Sequence, residues 1–103
     1  MPKVSLLAKV TAQEGKGDEL LAAFEPLIEQ VRNEPGTLLY LVNRSKEDPD
    51  VFWTAELYSD NDALAAHGAS DAMAKAGPIL GPLIAESELI LGEPVLGKGL
   101  PSS

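Results

Sequence analysis

The stretch that decides the fold is Thr37-Leu-Leu-Tyr-Leu-Val-Asn-Arg44-Ser-Lys-Glu-Asp-Pro-Asp50-Val-Phe-Trp-Thr-Ala-Glu-Leu-Tyr58. Thr37–Asn43 and Val51–Tyr58 are short apolar runs rich in β-branched and aromatic residues, which suit strands. Between them Arg44–Asp50 is polar and contains Pro49, so it reads as the loop of a hairpin. Along the second strand Val51, Trp53, Ala55 and Leu57 share one face, and Phe52, Thr54, Glu56 and Tyr58 the other.

Upstream of the hairpin, Leu20, Leu21, Phe24, Leu27, Ile28 and Val31 keep helical spacing. Asp18 is a candidate N-cap, with Glu19 favourably placed near the positive helix end. Pro26 falls inside the pattern and predicts a bend, and Glu34-Pro35-Gly36 closes it. Val4–Val10 alternates as a first strand. Downstream, Ser59-Asp60 caps a short helix through Ala63, Leu64, Ala65 and Ala66 to His67. Ser70 or Asp71 opens another through Met73 and Ala76, and Gly77-Pro78 and Gly81-Pro82 punctuate the apolar stretch after it. Ala85–Pro94 reads as a fourth strand.

The order strand, helix, strand, strand, helices, strand predicts an α+β fold of the split βαβ kind. Its four strands form an antiparallel sheet with helices on one face. Several strands are apolar on both sides, so the other face also needs a cover. A second copy of the sheet, related by a two-fold axis, is the simplest one. The expected organisation is one domain over residues 1–96 and a flexible tail over 97–103.

Composition narrows the function. The chain has 103 residues, 16 acidic and 8 basic side chains, a formal net charge of −8, one His and no Cys. The charge speaks against a nucleic-acid partner and an anionic membrane surface, and the cations are too scattered to form a local patch. Without Cys there is no disulfide framework, thiolate nucleophile or Cys-held metal centre. No apolar run reaches the roughly 18 residues of a membrane span. The first ten residues lack the pattern of a signal peptide, which makes a cytoplasmic protein the expectation. Carboxylates alone accompany the single His, and Glu47, Asp48 and Asp50 lack the spacing of a calcium loop, so no metal site is expected.

His67 is the one side chain whose unperturbed pKa lies near neutrality. It either faces a pocket as a base or serves as a solvent-exposed residue at a helix C-terminus. Glu56, mid-strand between Ala55 and Leu57, is either a buried acid or base, a structural hydrogen-bonding group, or half of a salt bridge. Tyr40, Phe52, Trp53 and Tyr58 could line an aromatic pocket or fill a core.

Asn33-Glu34-Pro35-Gly36-Thr37-Leu38-Leu39-Tyr40 resembles the Glu-Pro-Gly-x-x-x-Tyr turn and strand of the antibiotic biosynthesis monooxygenase domain. Phe52 through Tyr58 and on through Ala63-Leu64-Ala65-Ala66-His67 is similar to that family's Phe-x-x-x-Glu-x-aromatic … Ala-Leu-x-x-His block. The Gly15-Lys16-Gly17-Asp18-Glu19-Leu20 helix start also matches, and the likeness runs over roughly residues 3–95.

The resemblance implies a homodimeric, ferredoxin-like α/β barrel with a small-molecule pocket between sheet and helices. It also implies oxidation of a small aromatic quinol or polyketide-like phenol by O2, with no metal, flavin or haem. The family's Tyr, Glu and His map onto Tyr40, Glu56 and His67. His67 is then the expected base, Glu56 the group orienting it or another pocket group, and Tyr40 the donor to the substrate oxygen. Phe24, Phe52, Trp53 and Tyr58 are candidate substrate contacts. A related haem-degrading branch needs an Asn, a Trp and a ligating His where this chain has Ala8, His67 and Gly77, so haem is not expected. The same fold also hosts isomerases and binding proteins, and a non-catalytic small-molecule-binding or stress-response dimer is the alternative.

Overall fold

The computed structural model describes residues 2–99. Its elements run β1 (Val4–Ala12), α1 (Gly17–Val31), β2 (Thr37–Arg44), β3 (Val51–Tyr58), α2 (Asn61–Gly68), α3 (Asp71–Leu80), a 3-10 turn (Gly81–Leu83) and β4 (Ile84–Gly92). The strands form one antiparallel sheet in the order β2-β3-β1-β4. This is the ferredoxin-like α+β fold.

Alternation along the paired strands sorts the sheet into two faces. Leu6, Ala8 and Val10 of β1 stand opposite Glu56, Thr54 and Phe52 of β3, which in turn face Tyr40, Val42 and Arg44 of β2. This side meets the helices. Leu20, Phe24, Leu27 and Val31 of α1 are buried, and Val10, Ala12, Leu20, Phe24, Leu27 and Phe52 form one core cluster. The Phe24 and Phe52 rings pack tilted, 6.3 Å between centroids.

The opposite face carries no helix. Leu7, Leu39, Leu41 and Ile90 are 39%, 43%, 51% and 54% exposed there, around the half-buried Trp53 and Ala55. These four aliphatic side chains leave an apolar patch on the sheet that no other part of the described chain covers.

Several local expectations are corrected. Asp18 is not the N-cap of α1, because the helix already begins at Gly17. Asp50 of the β2–β3 loop does that work: its carboxylate accepts from the backbone N–H of Gly15 at 3.0 Å and of Gly17 at 2.9 Å. Asp18 instead accepts from Arg44 Nη2 at 2.9 Å, while the Arg44 guanidinium lies 5.1 Å above the Phe52 ring. Gly17 is sterically required here, since an added Cβ would collide with the Pro49 carbonyl.

α1 continues through Pro26 and ends at Val31, earlier than the Pro35 signal suggests, and α3 continues through Gly77-Pro78 to Leu80. Pro78 sits in the last turn and removes a single backbone bond there, while Leu80 packs against the core. Asp60 and Ser70 cap α2 and α3 by accepting from Ala63 N–H and Met73 N–H. β4 begins at Ile84 and stops at Gly92, two residues before Pro94. Of the expected tail, residues 100–103 lie outside the described residues, as does Met1.

Candidate functional site

The site is built where the Glu34-Pro35-Gly36 turn, the helix-facing side of β2 and β3, and the end of α2 converge. His67, in the last turn of α2, is 5% exposed. Its Nδ1 lies 2.9 Å from Glu34 Oε1. Its ring sits between those of Tyr40 and Tyr58, 5.5 Å from each centroid and tilted 49° and 43°. The same imidazole lines a cavity of about 250 Å³ between sheet and helices.

Glu34 is also hydrogen-bonded by Thr37 Oγ1 at 2.7 Å and by Gln30 Nε2 at 3.3 Å. Burial alone would raise its carboxyl. The hydrogen bonds from Thr37, His67 and Gln30, with the attraction of His67, together outweigh that and hold it below the usual carboxylate range. An ionised Glu34 accepts from Nδ1–H. Neutral His67 therefore carries its proton on Nδ1 and leaves Nε2 as the basic nitrogen.

This lowered carboxyl makes stability depend on pH. A carboxyl whose folded pKa lies below its unfolded value stabilises the fold above the unfolded pKa, about 4.3 for Glu. That contribution is lost as pH falls through the folded value. Urea midpoints should drop on acidification below about pH 4, and Glu34→Gln should flatten that part of the profile.

Glu56 is buried, and its two oxygens accept from the Thr54 and Tyr58 hydroxyls, residues on the same face of β3. Burial first, then the Glu56 carboxylate, pushes both Tyr40 and Tyr58 far above the ordinary phenol range, with Glu34 adding to the effect. Both tyrosines therefore stay protonated at any pH near neutrality and act as donors.

The cavity wall combines apolar groups such as Leu6, Phe24, Leu64 and Met73 with Tyr40, Thr54, Glu56 and His67, and it contains no Lys or Arg. Its volume falls just under the roughly 300 Å³ at which ordinary ligand pockets begin, which suits one or two fused rings. Leu89 of β4 lines it while remaining 68% exposed, so the cavity meets solvent beside β4.

Tyr40, Glu56, His67 and Phe24 thus share one cavity wall. Three other candidate substrate contacts stand elsewhere. Trp53 pairs with Lys9 and Asn43 on the helix-free face, because odd-numbered β3 residues point away from the helices. Phe52 is fully buried in the core beneath α1, and Tyr58 is fully buried behind His67 with its hydroxyl committed to Glu56. Glu34, not Glu56, is the carboxylate paired with His67. In the sequence Glu34 signals only a helix-ending turn, although it opens the Glu-Pro-Gly motif. Among the described residues no group of three or more His, Asp or Glu side chains is placed to hold a metal ion, and no helix is long and apolar enough to cross a membrane.

Gly36 locks this geometry. A Cβ there would stand 2.5 Å from Ala63 Cβ on α2. Gly36→Ala should push α2 and its His67 outward and cost about 1–3 kcal/mol, read as a lowered Tm. Adding Ala63→Gly should recover part of the loss, less about 1 kcal/mol of helix propensity.

Comparison with known proteins agrees with this architecture. No curated protein sequence matches at a significant level. A solved Caulobacter crescentus structure, described as a proposed antibiotic biosynthesis monooxygenase, is 33% identical with a TM-score of 0.86, and 92% of each chain is covered. A Chloroflexus aurantiacus structure of the same description is 30% identical with a TM-score of 0.81, covering 96% of this chain and 99% of that one. A conserved Methanosarcina mazei protein is 26% identical, TM-score 0.83, covering 89% and 92%. The family described as "Antibiotic biosynthesis monooxygenase" matches residues 3–77, and with these neighbours it supports a monooxygenase-type function. The chain belongs to the antibiotic biosynthesis monooxygenase family.

Proposed function

We propose that this protein is a cofactor-independent monooxygenase that oxidises a small aromatic quinol or phenol with O2, as a homodimer. The observation that carries the reading is His67, held by ionised Glu34 on one side and lining an apolar cavity on the other. Removing a proton from a bound hydroquinone or naphthol makes an electron-rich anion. Such an anion can give an electron to O2 with no metal or flavin between them. An apolar, water-poor cavity protects the reactive species. His67 Nε2 takes the hydroxyl proton, and Tyr40, kept as a phenol, donates to the substrate oxygen. One atom of O2 bonds to a ring carbon, the O–O bond breaks, and the other atom leaves as water with two hydrogens from the substrate.

The absence of any cation on the wall favours a neutral substrate over a carboxylated one, since an anion would be desolvated near Glu56 without a partner. The helix-free face, with Leu7, Leu39, Leu41 and Ile90 exposed, supports packing against a second copy.

The test is oxygen uptake by chelator-treated protein with a panel of naphthoquinols, against an enzyme-free blank because these compounds autoxidise. Uptake above blank is the expected result. One observation favours a second reading: both Glu56 oxygens are already satisfied inside the protein, as a purely structural network would have them. Binding of naphthols without uptake across the panel would favour a small-molecule-binding dimer.

A further inference from the structure

His67 stands between two spaces. One is the interior cavity. The other is a surface groove of about 230 Å³ between the Glu34-Pro35-Gly36 turn and α2, bordered by Asn33, Ala63 and Ala66. Glu34 lines the groove and does not line the cavity, and its side chain is 14% exposed against 5% for His67. The imidazole thus spans a wall, with Nδ1 turned to the solvent side through Glu34. We propose that Glu34 and this outer groove give His67 a second outlet, so that proton traffic from a ligand in the cavity passes through the imidazole to water by way of Glu34. This rests on the proposed function, in that the ligand is a phenol or quinol.

The proton count closes. The ligand O–H bond breaks and Nε2 gains the proton, leaving an oxyanion. The Nδ1 proton passes to the Glu34 carboxylate and from there to water in the groove, which restores the carboxylate. When the reduced oxygen species takes the Nε2 proton, Nδ1 recovers one from the groove through Glu34. No net proton stays on the protein. The other titratable groups around the ring cannot offer this path. Tyr40 and Tyr58 are held as phenols, and Glu56 has both oxygens engaged by Thr54 and Tyr58. Glu34 is a positioning and relay residue, since it does not touch the ligand.

The chain has one histidine, so nitrogen NMR of the intact protein reads this ring without ambiguity. Wild-type protein should show Nδ1 protonated and Nε2 bare in the neutral form. Glu34→Ala should lose that preference and regain it when formate is added, because the groove admits a small carboxylate from solvent. Glu34→Gln, which fills the space and reports on folding, should not respond to formate. On any quinol the wild type oxidises, Glu34→Ala should lose about ten- to a hundredfold in kcat with KM changed less than about twofold, and formate should restore kcat. A wild-type ring with Nε2 protonated and Nδ1 bare, a Glu34→Ala ring indifferent to formate, or an unchanged kcat would each overturn the route. If wild-type protein oxidises no quinol, the proposed function has failed, and the NMR comparison still decides whether a carboxylate in the groove sets the Nδ1–H tautomer on which the outlet depends.

Discussion

Replacing His67 with Ala or Gln should lower kcat on an accepted quinol by at least about a hundredfold, while naphthol binding changes only a few-fold. The expectation rests on the groups that remain in the cavity. Both Glu56 oxygens already accept hydrogen bonds from the Thr54 and Tyr58 hydroxyls, and Tyr40 is held as a phenol by burial and by nearby carboxylates. Nothing else on the wall can accept a proton near neutral pH. Ala also removes the ring packed between Tyr40 and Tyr58 and leaves half-buried Glu34 with only its Thr37 and Gln30 hydrogen bonds. Gln keeps much of the volume, so equal losses from both variants, with unchanged circular dichroism, separate chemistry from folding. Retained turnover in His67→Gln would remove His67 as the base.

The second large effect concerns assembly. Leu41→Glu places a carboxylate in the middle of the helix-free face, opposite Ala55 and near Leu39. If two copies bury this face against each other, symmetry brings the charge in twice. At about 2 kcal/mol per chain the dimer should weaken by about 4 kcal/mol, roughly a thousandfold in Kd. Sedimentation at micromolar concentration should change from dimer to monomer, and the monomer should keep its fold because Leu41 is half-exposed within one chain. A wild-type protein that sediments only as a monomer would overturn the dimer, and a Leu41→Glu variant that remains dimeric would place the interface elsewhere.

The legible and the hidden parts of the chain differ for physical reasons. β3 is legible residue for residue, because a β-branched and aromatic run is bounded by a charged Pro-containing loop and by the Ser59-Asp60 cap. Its facing is not. Both sides of the strand are apolar, Phe52 and Tyr58 on one and Trp53 and Leu57 on the other, so periodicity alone cannot say which side meets the helices. That ambiguity puts Trp53 among the site candidates, although it lies on the far face.

The Glu34–His67 pair is hidden for a different reason. Its partners lie 33 residues apart, one in a turn and one at a helix end, and no local period reports such a contact. The same holds for Asp50 at the start of α1, where a distant loop satisfies the backbone and the adjacent Asp18 does not. Tyr40, Glu56 and His67 can be named from the family motif, but only the fold shows which carboxylate serves the imidazole.

The most direct test of cofactor-free monooxygenation is the origin of the oxygen in the product. Chelator-treated protein would be given an accepted naphthoquinol under 18O2 in ordinary water, and the product analysed by mass spectrometry against an enzyme-free blank. Cofactor-free monooxygenation should give a hydroxylated quinone carrying one labelled atom, formed above blank and lost in His67→Gln. Product oxygen drawn from water, or no product above blank with any quinol of the panel, would contradict it.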